Sequence, residues 1–234
     1  MLRFMFNEPR RVDEGRFKDV RRVVSTYLSM VNRLEREQRI TGPEAHRIVI
    51  WSQGFIAGLD ELEQSIYAAK QYAGLVKSNY LEEMNEQERD DYHRHFYFYK
   101  NGFIRLFSLL DKMGVFLDSR LKLGTKEIKE RFSYYTVIRR MYDLHVHPDL
   151  QRQLYEDKQT YQESMDRLRK LRNMEVHAMN AELVDDMQQA EFAALCCIRL
   201  ENLNQHSVDL DQGYEMACSI LIKVFSYFVQ RTIV

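Results

Sequence analysis

Glycine and proline are so sparse in this chain, 9 and 3 residues among 234, that a fold built on many tight turns is excluded at once. A multi-stranded sheet would need turn residues about every 8–12 positions. Between the rare breaks, apolar residues return at helical spacing instead. A first block covers about residues 13–40 and carries Val20, Val23, Val24, Tyr27, Leu28, Val31 and Leu34. Thr41-Gly42-Pro43-Glu44 reads as a stop and a restart, with Pro43 in the first turn of a second helix, where its fixed φ and missing N–H do no harm. That helix carries Ile48, Trp51, Phe55, Leu59, Leu62 and Ile66 towards residue 80. Asn85 followed by Glu88 is a capping pattern that opens a third helix through Phe96, Tyr99, Phe103, Leu106, Leu110 and Phe116. Thr125 is expected to cap a fourth helix, through Phe132 and Ile138 to His147-Pro148, and a fifth is predicted over about 149–179. Residues 180–212 are the least legible, with helix predicted over 190–200, loop over 202–207 and a last helix from about Asp211. Long helices with short links and no alternating strands predict an all-α, up-and-down helical bundle. The expected organisation is a single domain, with residues 1–42 as an N-terminal helical arm or packing helix and 43–234 as the bundle proper.

Charge limits the partners. The net charge is −1 and the pI about 6.7, so no global basic field draws in nucleic acid and any such contact must be local. The first 40 residues hold ten basic and six acidic side chains, which reads as a solvated helix face. Cys196, Cys197 and Cys218 show no C-x-x-C spacing and read as small reduced core residues. The N-terminus lacks the apolar stretch of a signal peptide. The apolar run from 219 to 234 is interrupted by Lys223 and Arg231 and falls short of the ~20 residues of a membrane span. The expectation is a cytoplasmic protein with no membrane partner.

One short run carries chemistry: Leu171-Arg172-Asn173-Met174-Glu175-Val176-His177. Arg and His are a sufficient pair for breaking a phosphodiester without metal. An imidazole titrates near neutrality and can take the proton of a ribose 2′-hydroxyl or return one to the leaving oxygen. A guanidinium clamps phosphate through two donors and stabilises the charge that grows on its oxygens. Asn173 can orient either group, and Arg167, Arg169 and Lys170 just upstream can hold neighbouring phosphates. DNA, lacking the 2′-hydroxyl, would resist this chemistry. The spacing alone is weak, since Arg140 and His145 repeat it. On a helix Asn173 and His177 share a face, whereas Arg172 and His177 stand about 140° apart at 3.6 residues per turn. Either the arginine reaches around the helix or the partner histidine comes from another chain.

This L-R-N-x-x-x-H run, late in an all-helical chain, resembles the signature of the HEPN superfamily (higher eukaryote and prokaryote nucleotide-binding domains). The aromatic stretch from Tyr97 to Gly114 is similar to the aromatic-rich helix of a bacterial HEPN family first catalogued from a clostridial protein. The resemblance spans roughly residues 43–234. It implies a core of four to five helices and face-to-face dimers in which Arg and His of both protomers line one cleft. Arg172, Asn173 and His177 would hold the active-site positions. Many members are RNases of toxin, defence or RNA-processing systems, and others are binding modules without catalysis. Met179 stands where some nuclease members carry an aromatic residue. The expected function is therefore metal-independent RNA cleavage leaving a cyclic phosphate. The expected partners are a second copy of the chain, RNA or a nucleotide, and a neutralising protein. The alternative is a non-catalytic module that binds nucleotide or protein.

Other features weigh less. His145 and His147, with Asp143 and Asp149, suggest metal ligands, as do His93 and His95, but no Cys or Glu-x-x-His pattern completes a site. No metal or other cofactor is expected. The aromatic run Tyr92, Phe96, Tyr97, Phe98, Tyr99 can stack bases, but on a helix such residues fill a core or a dimer seam.

Overall fold

A computed structural model describes residues 2–177 and 199–233, with the backbone alone at His177. The described residues form an all-α helical bundle: α1 (Gly15–Arg36), α2 (Gly42–Leu75), α3 (Glu86–Leu121), α4 (Thr125–Ile128), α5 (Tyr134–Asp143), α6 (Pro148–Thr160), α7 (Gln162–His177) and α8 (Leu203–Arg231). Short 3-10 turns cover Leu2–Phe6 and Leu81–Glu83. Ala178, Met179, Cys196, Cys197 and the predicted helix over 190–198 lie outside the described residues. The last two residues of that prediction are not helical. Arg199 makes an isolated antiparallel bridge with Tyr80, and the Leu200 N–H donates to the Asn79 carbonyl at 2.9 Å.

Several predicted boundaries move, each for a local reason. Asn85 caps α3 as expected, its Oδ1 accepting the Glu88 N–H at 2.9 Å. The fourth helix is two helices. Its N-cap is Gly124, in the left-handed region at φ 64°, and not Thr125. The cap acceptor is the Asp118 carboxylate at the end of α3, which takes the Thr125 N–H at 2.8 Å. The chain then leaves the helix until Ser133 restarts it with a capping box to Thr136, a use to which serine is better suited than to a helix interior. The fifth helix is also two, divided at Tyr161. The stretch 202–207 is no loop but the first turns of α8. Asn202 Oδ1 accepts the Gln205 N–H at 3.0 Å and so caps a helix that starts at Leu203, eight residues before Asp211, where the start was predicted.

The chain divides into two compact units. One comprises Val12–Glu61, Arg105–Tyr161 and Tyr214–Val234. Its core is aromatic. Phe55, Phe116, Phe225, Phe228 and Tyr27 are all at most 2 % exposed, and Tyr27 of α1 meets Phe225 and Phe228 of α8 at centroid distances of 5.2 and 5.8 Å. Helix α1 therefore packs as part of this core, burying Val20, Val24, Val31 and Leu34 along the same stripe. The other unit comprises Met1–Arg11, Leu62–Ile104 and Gln162–Gly213. Its apolar centre is Leu62, Ile66, Phe96, Tyr99, Phe103, Met165, Leu168 and Leu210. Every predicted site residue on α7 belongs to this second unit.

In the first unit, α3 and α5 touch at Gly114. A Cβ built there would stand 3.0 Å from the Tyr134 Cα and 3.1 Å from its N, both backbone atoms that cannot rotate away. Gly114→Ala should lower stability by about 1–3 kcal/mol, as overpacking does. Gly54→Ala, at an exposed position in the middle of α2 with nothing near the added methyl, should raise it by up to ~1 kcal/mol. Urea unfolding of the two variants beside the parent checks both signs.

Candidate active site

Helix α7 advances about 100° per residue, so one anchored side chain fixes the direction of all the others. The anchor is Arg167. Its Nε donates to Asp209 Oδ2 at 2.8 Å and its Nη2 to Asp209 Oδ1 at 2.7 Å, a two-point grip on a carboxylate of α8 that is 2 % exposed. Ser164 Oγ lies 2.9 Å from the same Oδ1, and Gln205 Nε2 donates to it at 2.9 Å. Burial alone would raise the Asp209 pKa. The hydrogen bonds from Arg167, Gln205 and Ser164 outweigh it and hold the carboxyl below its ordinary range.

With α7 so fixed, its inner face is Ser164, Met165 and Leu168, all buried. Arg172 stands within about 40° of Leu168 around the axis and is half-buried, with its Nε covered. Asn173 and Lys170 point outward and are exposed, whereas Arg169 is half-buried and pairs with Asp166 at 3.1 Å. His177 stands in register with Asn173 and about 140° from Arg172. Its side chain lies outside the described residues. The structure thus puts the guanidinium of the motif on the packed side of α7 and its amide on the outer side. The competing spacing is not helical throughout, because α5 ends at Asp143 and His145 adopts φ 56° in the turn beyond. Arg140 there donates to the Leu123 carbonyl at 3.2 Å.

A second tie meets α7 within the motif. Lys100 of α3 reaches Glu175 at 3.3 Å, with side chains only 15 % and 17 % exposed. Around it, Tyr97 and Ile104 on α3 and Val176 on α7 are 64 %, 42 % and 53 % exposed. This is an apolar rim beside a mostly covered ion pair.

Sequence reasoning missed the polar interior of this unit. His95 of α3 and His206 of α8 lie with their rings near parallel, His95 Nε2 facing His206 Nδ1 at 3.4 Å. The other His95 nitrogen, Nδ1, donates to the Ala69 carbonyl at 2.9 Å. A carbonyl only accepts, so the neutral His95 carries its proton on Nδ1, its Nε2 accepts, and His206 must donate from Nδ1. The Tyr99 ring stacks on His206 at 4.2 Å, and its buried hydroxyl has no hydrogen-bond partner among the described residues. Burial lowers the pKa of His95, and burial together with the neighbouring imidazole pushes His206 down to about 3. No pattern announced the pair, because His206 falls in the stretch read as loop. Among the described residues no three His, Cys, Asp or Glu side chains are grouped to hold a metal, and His147 Nδ1 lies 3.0 Å from the Tyr227 hydroxyl.

The profile of one protein family, described as HEPN_Cthe2314-like HEPN, matches residues 51–229. The chain belongs to this HEPN family. No curated protein and no solved structure matches it. The HEPN profile covers α3, α7 and the greater part of α2 and α8, the helices that carry the Arg167–Asp209 grip, the Lys100–Glu175 tie and the imidazole pair. No helix among the described residues of this HEPN chain is long and apolar enough to cross a membrane.

Both imidazoles are neutral in the folded chain and would charge in the unfolded one below the ordinary value of 6.5. The unfolded state therefore binds more protons, and stability must fall as pH drops from about 6.5 towards 3. Asp209, whose pKa is depressed, acts in the same direction at the acid end. Denaturant midpoints between pH 7 and pH 4 should decline, and His206→Phe should flatten that decline. An equal slope in the variant would remove the imidazole pair as its source.

Proposed function

We propose that this HEPN protein is a metal-independent endoribonuclease that works as a homodimer. What supports the reading is its family, together with the register of α7. Arg172 on the packed side and His177 in register with the outward Asn173 do not converge from one helix, whereas two copies meeting across a two-fold axis bring an arginine of one towards a histidine of the other. The rim of Tyr97, Ile104 and Val176 is where the second copy seats, since it is apolar, exposed and adjacent to the motif.

In this reading His177 takes the proton of a ribose 2′-hydroxyl, and the freed oxygen attacks the adjacent phosphorus. The 5′-oxygen leaves with a proton from the partner subunit's His177, giving a 2′,3′-cyclic phosphate. Arg172 clamps the phosphate and stabilises the charge on its non-bridging oxygens, and Asn173 orients the imidazole on its own face. Lys170 and Arg169, whose link to Asp166 is a screened surface pair, hold neighbouring phosphates. Arg167 is a weaker phosphate contact than either, because Asp209 already balances its charge. The cellular setting that fits is a toxin, defence or RNA-processing system, with a neutralising protein as partner. A second reading, a binding module without catalysis, draws on the partial burial of Arg172.

The deciding experiment is incubation of the purified protein with single-stranded RNA in excess chelator. Cleavage with cyclic-phosphate ends is expected, a 2′-O-methyl substrate should stay whole, and His177→Ala should slow the reaction by about 10²–10⁴-fold with an unchanged circular dichroism spectrum. Intact RNA from a folded dimer would favour the binding module. For the assembly itself, Tyr97→Glu should shift sedimentation from dimer to monomer. A variant that sediments like the parent would move the seam elsewhere.

A further inference from the structure

Two ion pairs fasten α7 to its neighbours. Arg167–Asp209 holds its first half and Lys100–Glu175 its motif-bearing turn. Glu175 of the second pair lies inside the motif, three residues after Arg172 and about 60° from it around the axis. A single tie holds a turn of helix closed and fixes its roll only if it is shielded from water, since an exposed Lys–Glu pair contributes little. Side-chain exposures of 15 % and 17 % meet that condition. The carboxylate also sits on the same side of α7 as Arg172, so that its loss would remove a negative charge from the side of the helix that carries the guanidinium.

We infer that Lys100 and Glu175 are positioning residues, a pair that keeps the motif-bearing turn of α7 wound and set in roll, so that Asn173 and His177 share one face while Arg172 stays on the other. The inference deepens the ribonuclease reading and rests on it for its catalytic consequence, though not for its structural one. Lys100 itself lies on α3, outside the motif, and nothing in its local sequence marks it.

The test uses the full-length protein with Lys100→Met, Glu175→Gln and the exchanged pair Lys100→Glu/Glu175→Lys, read two ways. Amide hydrogen exchange over residues 173–177 should speed up on the order of tenfold in each single variant and return towards the parent in the exchanged pair. RNA cleavage should lose a similar factor in kcat with KM unchanged, again restored by the exchange. Loss of exchange protection throughout α7 would mean a general packing role and overturn the inference, as would parental exchange and parental kcat in Lys100→Met. If the parent cleaves no RNA, the ribonuclease reading fails on its own account, and the exchange rates alone decide whether the pair sets this turn of α7.

Discussion

The carboxylate of Asp209 is the point on which the unit containing α7 turns. An ionised carboxyl taken out of water is costly unless its charge and its lone pairs are answered. Arg167 supplies both in one planar contact, with Ser164 and Gln205 completing the set. Because α7 is a rigid screw, that single requirement selects its rotation about its own axis. Ser164, Met165 and Leu168 then fall inside, and the polar residues between them fall where the screw puts them. The arginine expected to hold RNA thus does much of the work of aiming the residues that follow it.

The two faces of the motif follow from this. A catalytic pair on one helix would need residues three or four apart, which share a face. Arg172 and His177 are five apart, and the packing around Leu168 leaves α7 no freedom to compromise between them. The family to which the chain belongs and the exposed rim of Tyr97, Ile104 and Val176 both suit a site shared between two chains. The Lys100–Glu175 pair gives the arrangement a second fixed point, eight residues on from Arg167.

Much of this was legible in the residues, and what was not has physical causes. The bundle could be read because long apolar stripes at period 3.6 leave no other fold, and the cap at Asn85 and the entry at Pro43 follow local rules that tertiary contacts did not override. Ser133 and Tyr161 were hidden interruptions, since the apolar periodicity runs on past both while the backbone does not. The run from Asn202 to Ser207 is polar and of low helix propensity, which is why it reads as loop. It is helical because Asn202 caps it and because His206 and Asp209 find partners on α3 and α7. That misreading concealed the interior polar residues of the site. Lys100 and Glu175, 75 positions apart, have no sequence relation that could have joined them.

The two imidazoles carry one further implication. Their hydrogen bonds run in a single sense, from the Ala69 carbonyl through His95 to His206. That carbonyl belongs to the body of α2, so the peptide direction of one helix decides which ring nitrogen of a residue on another is left bare. His206 Nε2 is thereby fixed as a lone pair, able to receive a proton donor and unable to offer one. Turning the Ala69 carbonyl away would release both tautomers together, so the peptide direction of α2 at that residue is recorded in the polarity of a side chain that does not touch it.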